Sequence, residues 1–538
     1  MNFNLQATVV FASAILAANC ACSEELLYNG VRLPDEWPPR YASLEEARKT
    51  PPYLEHPPAV IPIDVGRQLF VDDFLIAESS LTRTHHRPTY HPQNPVLKPD
   101  KPWEHEVPEN PTAMTFSDGV FYDPQDQLFK MWYMGGYVKR TCYATSRDGI
   151  HWEKPDMDVV PGTNVVHTAT RDSNTVWLDQ TTTDPKQRFK MISVHWPTDY
   201  RSISAYSSPD GIHWTGVLAR SPETVMGDRH TMFYNPFRKV WVYSVRADIE
   251  GVGRMRRYRE HPDFVQGALW EKEPAIWTGA DAQDVNYPAL NQPPQLYVLD
   301  CVAYESLIIG LFTIWHGERG IYPKQNEVSI GYSRDGFHWS RPDRKSFLPT
   351  SGEDGAWNLG NVQSTGGCCL VVGDKLYFYV SGRQGIPGTR ESGVCSTGLA
   401  TMRRDGFVSL DAGSEAGFVT TRPLTFSGRH LFVNANTNEG ELTAEILDDQ
   451  GQVIAPFSKD NCKPIHGDGV MQAVRWQGAE DLSGIAGKAV RMRFHLKDGQ
   501  LFSFWVSPDS SGASHGYVAA GGPGFAGIAD TVGSTSSQ

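Results

Sequence analysis

The sequence predicts an all-β protein in which a five-bladed β-propeller is followed by a C-terminal β-sandwich. The first observation is a repeated phrase, which runs YATSRDGIHWEKP from Tyr143, YSSPDGIHWTGV from Tyr206 and YSRDGFHWSRP from Tyr332. Asp and Gly suit a tight hairpin, because the Asp side chain can bond backbone N–H groups and Gly accepts a positive φ. Weaker copies surround Asp263 and Asp405. Five such hairpins predict five blades.

The second observation is a unit that precedes every hairpin. Each unit is an apolar strand, a polar turn and another apolar strand, as in GVFYDPQDQLFKMWYMGG, TVWLDQTTTDPKQRFKMISVHW, TMFYNPFRKVWVYSV, CVAYESLIIGLFTIW and CLVVGDKLYFYVSG. Two strands before each hairpin give four strands per blade. Trp152, Trp214 and Trp339 recur at one position of the repeat, so we expect each to pack against a neighbouring blade, away from the axis.

The third observation is that the pattern changes along the chain. Residues 66–412 carry the repeat, and residues 413–508 show alternating strands without the hairpin phrase, which favours a separate β-sandwich. Residues 24–65 are rich in Pro and are expected to wrap the surface. Residues 509–538 are rich in Gly and Ser, which predicts a disordered tail.

The first 23 residues read as an export signal that is removed. An apolar run from Ala7 to Ala18 is followed by small residues and then by acidic ones, and it is too short to span a bilayer. The protein is therefore expected to be secreted or periplasmic, with a lipid anchor on Cys20 or Cys22 as the alternative. No later run is apolar enough to predict a membrane span.

Composition limits the partners. With 49 basic and 62 acidic residues the formal net charge is −13, which argues against nucleic acid or an anionic membrane and favours a neutral or cationic partner. The cysteines after the signal do not have the paired spacing of a zinc site. The sequence thus predicts buried thiols, no metal and no cofactor.

Candidate site residues follow from the propeller geometry, in which the innermost strands converge on one axis. Acidic residues that enter these strands without being needed for a hairpin turn are the candidate catalytic residues: Glu109, Asp172 and Asp228. Residues on or near the inner strands, and one loop tryptophan, are the candidate substrate-binding residues: Asn174, His230, Asp300, Glu305, Trp357 and Gln363. Several carboxyl groups in one pocket suit glycoside hydrolysis, since burial and repulsion can keep one protonated and another ionised.

Some of these residues have simpler explanations. Asp148, Asp210 and Asp335 are accounted for by their hairpin turns, and Asp118 lies in an SDG turn of its own. His230 is equally explained as a hydrogen-bonded core histidine. The rival function is a non-catalytic carbohydrate-binding propeller, whose carboxylates only bond sugar hydroxyls, and a scaffold for partner proteins is a third alternative.

The run NPVLKPDKPWE from Asn94, followed by ENPTAMTFSDGVFYDP, FKMWYMGG and YATSRDGIHWEKP, resembles the five-bladed propeller glycoside hydrolases of families 32, 43 and 130. The resemblance covers about residues 66–412, and the trailing sandwich looks like their accessory domains. It implies a poly- or oligosaccharide substrate, and by position Glu109, Asp172 and Asp228 match the acids that act in that group. The chain has no WMNDPNG box, and it has RDSN where family 32 has RDP. Sugar, linkage, stereochemistry and oligomeric state stay open.

Overall fold

The structure is a computed structural model, and it describes most of the chain beyond the predicted signal. The described ranges are 25–195, 202–222, 227–290, 292–317, 324–386 and 388–533. The predicted signal peptide lies outside these residues. Within them, no helix is long and apolar enough to cross a membrane.

The N-terminal segment contains short elements that serve other parts of the fold. They are α1 (Leu44–Ala47), α2 (Pro52–Glu55), β1 (Ile61–Pro62), β2 (Gln68–Leu69), β3 (Ile76–Ser79), β4 (Thr82–His85) and β5 (Thr89–Tyr90). Ser43 begins α1, because its hydroxyl accepts from the N–H of Glu46 at 3.2 Å. Single turns of 3₁₀ helix lie at Pro102–His105, Pro185–Gln187, Pro288–Leu290, Lys459–Asn461 and Ser483–Ile485.

Residues 113–403 form five antiparallel units. Unit 1 is β6 (Ala113–Asp123), β7 (Leu128–Gly135), β8 (Arg140–Ser146) and β9 (Val165–His167). Unit 2 is β10 (Arg171–Leu178), β11 (Phe189–His195), β12 (Ser204–Ser208) and β13 (Ala219–Arg220). Unit 3 is β14 (Thr231–Asn235), β15 (Val240–Ile249), β16 (Gly253–His261) and β17 (Ala275–Gly279), with α3 (Phe264–Gly267) before β17.

Units 4 and 5 share one sheet. Unit 4 is β18 (Gln295–Glu305), β19 (Leu307–Gly317) and β20 (Gln325–Ser333). Unit 5 is β21 (Asn361–Ser364), β22 (Leu370–Val372), β23 (Lys375–Arg383) and β24 (Cys395–Arg403). A single parallel pair, Asn326 with Asn361, joins the two units. The outer strand of unit 5 is β5, from the chain before unit 1.

The five units form a closed ring. Strand β6 contacts β10, β10 contacts β14, β14 contacts β18, β18 contacts β21, and β21 returns to β6. Hydrogen bonds tie one unit to the hairpin of the next: Trp132 of unit 1 donates to the carbonyl of Gly211 in unit 2, and Tyr379 of unit 5 donates to that of Gly149 in unit 1. The all-β propeller class is therefore confirmed, and β5 helps to close the ring.

The repeated hairpin explains its own sequence. In the copy at Asp148 one carboxylate oxygen accepts from the N–H groups of Ile150 and His151, both at 2.8 Å, and the other contacts His151 Nδ1 at 2.7 Å. The copies at Asp210 and Asp335 repeat these contacts. The spacing that is repeated three times in the chain thus gives each Asp both backbone N–H partners and an imidazole partner, as a structural turn requires.

The repeated tryptophans lie between blades. Trp152, Trp214 and Trp339 are partly buried against the propeller core. Trp152 meets the ring of Tyr379 in unit 5 edge-on at 5.7 Å, and Trp339 meets Trp277 of unit 3 at 5.8 Å. The expected packing against neighbouring blades is seen for these two.

The C-terminal sheet is built by residues from both ends of the chain. Its later strands are β25 (Val408–Ala412), β26 (Gly417–Thr421), β27 (Leu424–Thr425), β28 (His430–Leu447), β29 (Ile465–Ala473), β30 (Arg491–Lys497), β31 (Gly499–Ser507) and β32 (Tyr517–Val518). The order is β3-β26-β30-β28-β31-β25-β4, with β2 on β31 and β29 on β28. Strand β32 pairs instead with β18 of the propeller, and β27 pairs with β1.

This sheet encloses the second hydrophobic core. The first half of β28 pairs with β31 and β29, and its second half pairs with β30. Phe494 of β30 and Phe504 of β31 meet at 5.2 Å across this fold, although their strands flank β28 on opposite sides. The sheet thus packs on itself as a sandwich.

Two predicted boundaries differ from the structure. Strands β2, β3 and β4 were predicted within the propeller, yet they hydrogen-bond into the C-terminal sheet. Short alternating stretches such as TRTH do not reveal their partners, because strand pairing is a long-range choice. The predicted disordered tail is also wrong for residues 509–533.

The tail is packed because its small residues allow close approach. The carbonyl of Ala520 accepts from Tyr122 N–H at 3.0 Å, and that of Gly521 accepts from Val371 N–H at 2.9 Å. A Cβ added to Gly522 would lie 1.7 Å from the carbonyl oxygen of Val371. The glycines here serve contact with units 1 and 5, so their abundance does not indicate disorder.

All six cysteines after the predicted signal are buried thiols without a disulfide, as predicted: Cys142, Cys301, Cys368, Cys369, Cys395 and Cys462.

Candidate active site

Asp172 enters the axis at an irregular point of unit 2. The pairing of β10 with β11 shifts register between Arg171 and Asn174, which leaves the side chain of Asp172 outside the regular ladder. Its Oδ1 atom is buried without a hydrogen-bond partner in the described part of the chain. Burial raises the pKa of Asp172, and the charges of Arg229, Arg171, Lys324 and Arg383 oppose that rise.

Asp228 occupies the matching entry to unit 3 but in a different environment. Its carboxylate forms an ion pair with Arg246, and its Oδ2 accepts from the hydroxyl of Tyr297 at 3.2 Å. Gly227, at φ +83°, makes this possible, because a Cβ there would lie 2.8 Å from the Arg246 guanidinium. A cation and a hydrogen-bond donor beside the Asp228 carboxylate both interact favourably with its charged form.

Tyr297 of β18 links the two carboxyl groups. Its hydroxyl donates to Asp228, and the charge of Asp172 contributes to raising the pKa of Tyr297, after burial. Tyr297 therefore lies near two carboxyl groups in different environments, one with a raised pKa and one paired with an arginine. Such a pair can donate a proton at one position and accept one at another.

Two further carboxyl groups lie deeper along the axis. Asp118 forms a two-pronged bond with Arg171, with both N–O distances 2.8 Å, and burial raises the pKa of Asp118 to about 6. Asp300 accepts from Ser364 Oγ at 2.6 Å and from Ser117 Oγ at 3.4 Å. Burial also raises the pKa of Asp300. The expected turn at Asp118 is wrong, because Asp118 lies inside strand β6, next to a register shift, and its carboxylate is bound in a buried ion pair with Arg171.

Arg229 is the most unusual side chain of the axis. It follows Asp228 with a φ of +60°, a conformation that costs free energy in a residue with a Cβ. Its guanidinium lies 3.5 Å from the ring centre of Phe116, which itself has a φ of +51°. The two unusual backbones bring units 1 and 3 together beside Asp172.

The remaining predicted binding residues of the inner strands are buried. Asn174 donates to Thr141 Oγ1 at 2.7 Å, and Gln363 donates to Asn361 Oδ1 at 2.8 Å. His230 accepts at Nδ1 from the N–H of Arg246 at 3.0 Å, and its Nε2 lies 3.0 Å from the carbonyl of Gly227. Burial lowers the pKa of His230 to about 3. It is a neutral histidine that joins two backbone segments and so positions Asp228 and Arg246.

Three predicted site residues lie outside this cluster. Glu109 is exposed before β6 and has no place among the contacts of Asp172 and Asp228 in the described residues. Glu305 lies at the far end of β18, where it accepts from Arg404 Nη2 at 2.9 Å and from Arg67 N–H at 3.1 Å. The assignment of Glu305 to substrate is wrong, because Glu305 joins the propeller to the C-terminal sheet.

Trp357 is likewise a packing residue. It meets Tyr90 edge-on at 5.6 Å, and its ring fills the space that a Cβ on Gly382 or Gly398 would need, within 2.3 and 2.0 Å respectively. These contacts give Trp357 a packing role, and because the residue is only partly buried its sugar-stacking role stays a prediction.

Sequence analysis missed the cationic half of the site. Arg229, Arg246, Arg383 and Tyr297 were not selected, although Arg171 and Arg229 directly adjoin the chosen acids in RDSN and GDRH. Those adjacent charges were the available signal. Within the described residues no group of three or more His, Cys, Asp or Glu side chains is arranged to hold a metal ion.

No protein-family model matches the chain, and no curated protein sequence matches it. Solved structures similar to it include a thermostable family-43 glycoside hydrolase, at 10% identity and a TM-score of 0.39, covering 56% of this chain and 96% of the other. A glycosyl hydrolase from Bacteroides ovatus has 12% identity and a TM-score of 0.39, covering 62% and 96%.

A third similar structure is a member of glycoside hydrolase family 130. Its description says that this family of mannoside phosphorylases contains glycoside hydrolases that target β-1,2-mannosidic linkages in Candida mannan. It has 13% identity and a TM-score of 0.38, covering 59% of this chain and 94% of the other. The names of these proteins agree with the group that the motifs resemble. At these identities and TM-scores, no activity is transferred from them to this chain.

Proposed function

We propose that this protein is a glycoside hydrolase-like enzyme that cleaves a poly- or oligosaccharide at the propeller axis. Asp172 is the general acid, and Asp228 is the base or nucleophile. The observation that supports this best is the contrast between the two carboxyl groups: burial raises the pKa of Asp172, while Asp228 is paired with Arg246 and bonded by Tyr297.

Glycosidic cleavage needs this contrast. The leaving-group oxygen must receive a proton, and the anomeric carbon must be attacked by a carboxylate or by water that a carboxylate has activated. A protonated Asp172 supplies the first group, and an ionised Asp228 supplies the second. The hydroxyl of Tyr297 orients the Asp228 oxygen to which it donates a hydrogen bond.

Glu109 stands apart in this proposal. Its position at the entry to unit 1 motivated a catalytic role, and its exposed side chain leaves Asp172 and Asp228 as the two groups with a chemical argument. We therefore propose that Glu109 at most contacts the substrate at the rim.

The test is to incubate the protein with a panel of complex glycans and to measure the release of new reducing ends. Wild-type protein is expected to release sugar, and Asp172→Asn and Asp228→Asn are expected to bind the same glycan without releasing any. If wild-type protein binds a glycan tightly and never cleaves it, the carbohydrate-binding alternative replaces the enzyme.

We also propose that the chain is exported, on the pattern of its first 23 residues. Expression in a bacterial host with fractionation, and N-terminal sequencing of the exported form, tests this. A mature protein that starts near residue 24 supports export, and full-length protein retained in the cytoplasm contradicts it.

A further inference from the structure

Arg229 is a buried cation for which the described residues provide no partner. It is fully buried, yet none of its three guanidinium nitrogens has a hydrogen-bond partner among those residues. Burial lowers the pKa of Arg229 to about 10, so it still carries its charge at neutral pH. A buried charge without partners lowers the stability of a fold. The presence of Arg229 is explained if a bound ligand supplies the missing hydrogen-bond acceptors.

The neighbouring Arg256 shows that this fold can satisfy a buried arginine. Its Nε donates to Ser244 Oγ at 2.8 Å, one Nη donates to the carbonyl of Tyr297 at 3.4 Å, and the other donates to the carbonyl of Arg229 at 2.9 Å. Arg256 thus fixes the backbone of Arg229 with a complete set of bonds. Arg229 itself, the cation with the largest effect on Asp172, has three guanidinium nitrogens without a hydrogen-bond partner in the described residues.

The local charge at the axis is opposite in sign to that of the whole protein. Four carboxyl groups meet here, those of Asp118, Asp172, Asp228 and Asp300. Six basic groups act on them: Arg171, Arg229, Arg246, Arg256, Arg383 and Lys324, of which Arg246 is shared with Asp248. The net charge of −13 favoured a neutral or cationic partner, but the axis presents an excess of positive charge.

Arg229 and Asp172 attract each other without forming a direct ion pair within the described part of the chain. The charge of Arg229 is the largest one that lowers the pKa of Asp172. Both groups have buried polar atoms with no hydrogen-bond partner there. Both therefore have hydrogen-bonding capacity that the described residues do not use.

We propose that the axial site takes a sugar that carries an anionic group, a carboxylate or a sulfate, and that Arg229 binds this group next to Asp172. The inference rests on the proposed function and names its substrate class. The guanidinium offers a planar set of donors that matches an oxyanion. Phe116 stacks against its face and fixes its plane. A bound anion also opposes the cations around Asp172, which favours the protonated acid.

The first experiment compares binding of matched ligands. The probes are a pool of uronic-acid oligosaccharides, the same pool after reduction of its carboxyl groups to alcohols, a pool of sulfated oligosaccharides, and that pool after removal of sulfate. We expect at least one acidic pool to raise the melting temperature of the wild-type protein more than its neutral derivative does. The two acidic pools distinguish carboxylate from sulfate.

The second experiment uses Arg229→Met. This variant is expected to lose roughly 10- to 100-fold in affinity for the acidic pool, the size of one lost charge-assisted hydrogen bond, and to change little for the neutral pool. Its melting temperature should fall less than that of the control, because the charge removed has no hydrogen-bond partner among the described residues and loses only its contact with the Phe116 ring and its attraction to Asp172. The matched control is Arg341→Met, which removes a buried arginine that is paired with Asp284 beyond the third strand of unit 4. It should melt earlier and keep the preference for acidic ligands.

The outcomes separate this inference from the proposed function. Equal binding of acidic and neutral pools, or a preference that survives Arg229→Met, overturns the inference even if glycans are cleaved. Turnover that requires added inorganic phosphate also overturns it, since the anion site then serves a co-reactant. Selective binding of an acidic pool without cleavage supports the anion site and refutes the hydrolase.

Discussion

The substitution Asp172→Asn separates the catalytic explanation of the axis from a structural one. It keeps the shape of the side chain and removes its ability to exchange a proton. The Oδ1 atom of Asp172 is buried and has no hydrogen-bond partner in the described residues, so the substitution breaks no hydrogen bond at that atom. Turnover should therefore fall while folding is preserved.

The magnitude follows from the chemistry and the burial. General acid catalysis contributes about 10²- to 10⁴-fold, which is about 3–5 kcal/mol of transition-state stabilisation. The substitution should also change how the free energy of unfolding depends on pH. The raised pKa of Asp172 means that the folded state binds more protons than the unfolded state between the unfolded pKa and the folded one. The free energy of unfolding therefore falls as the pH rises through that window, and Asp172→Asn should remove this part of the slope.

The assay is kcat on a cleaved glycan together with unfolding curves at several pH values. Asp210→Asn is the matched control, because Asp210 is a hairpin residue that bonds Ile212 N–H and His213 N–H at 2.8 Å. The control should keep full activity per folded molecule. The reasoning is refuted if Asp172→Asn retains wild-type kcat, or if it loses activity only in proportion to lost folded protein.

Three further outcomes are expected. Wild-type kcat should fall as the pH rises through the raised pKa of Asp172, since the acid must be protonated, and a pH–rate profile that keeps rising above neutrality contradicts this. Glu305→Gln should cost about 1–3 kcal/mol in denaturant unfolding, because Arg67 and Arg404 each lose one of two carboxylate partners and keep Asp405 and Asp530, with normal kcat per folded molecule; lost activity in a stable variant would return Glu305 to the site. Trp357→Ala should destabilise unit 5 by about 2–3 kcal/mol, less than a fully buried Trp would, through the space it leaves beside Gly382 and Gly398, and unchanged stability with weakened glycan binding would support the sugar-stacking role instead.

The propeller class could be predicted because its repeated hairpins depend only on residues that are close together in the sequence. The hairpin at Asp148 needs only residues within one turn, since Asp148 bonds Ile150 and His151. The same phrase at Asp210 and Asp335 repeats that geometry, so repetition in the sequence becomes repetition in space. Asp172 and Asp228 were selectable for a related reason, because no hairpin accounted for them.

The sequence by itself determined the repeated hairpins, the β class and the two acids that enter neighbouring inner strands. Only the tertiary structure decided which partners those acids have. Arg246 and Tyr297 reach Asp228 from separate strands, and Arg229 meets Phe116 across the ring. Glu305 and the Gly-rich tail were misassigned for the same reason. Charge pairing, burial and close packing depend on residues that are distant in the chain, and local patterns do not record distances across a fold.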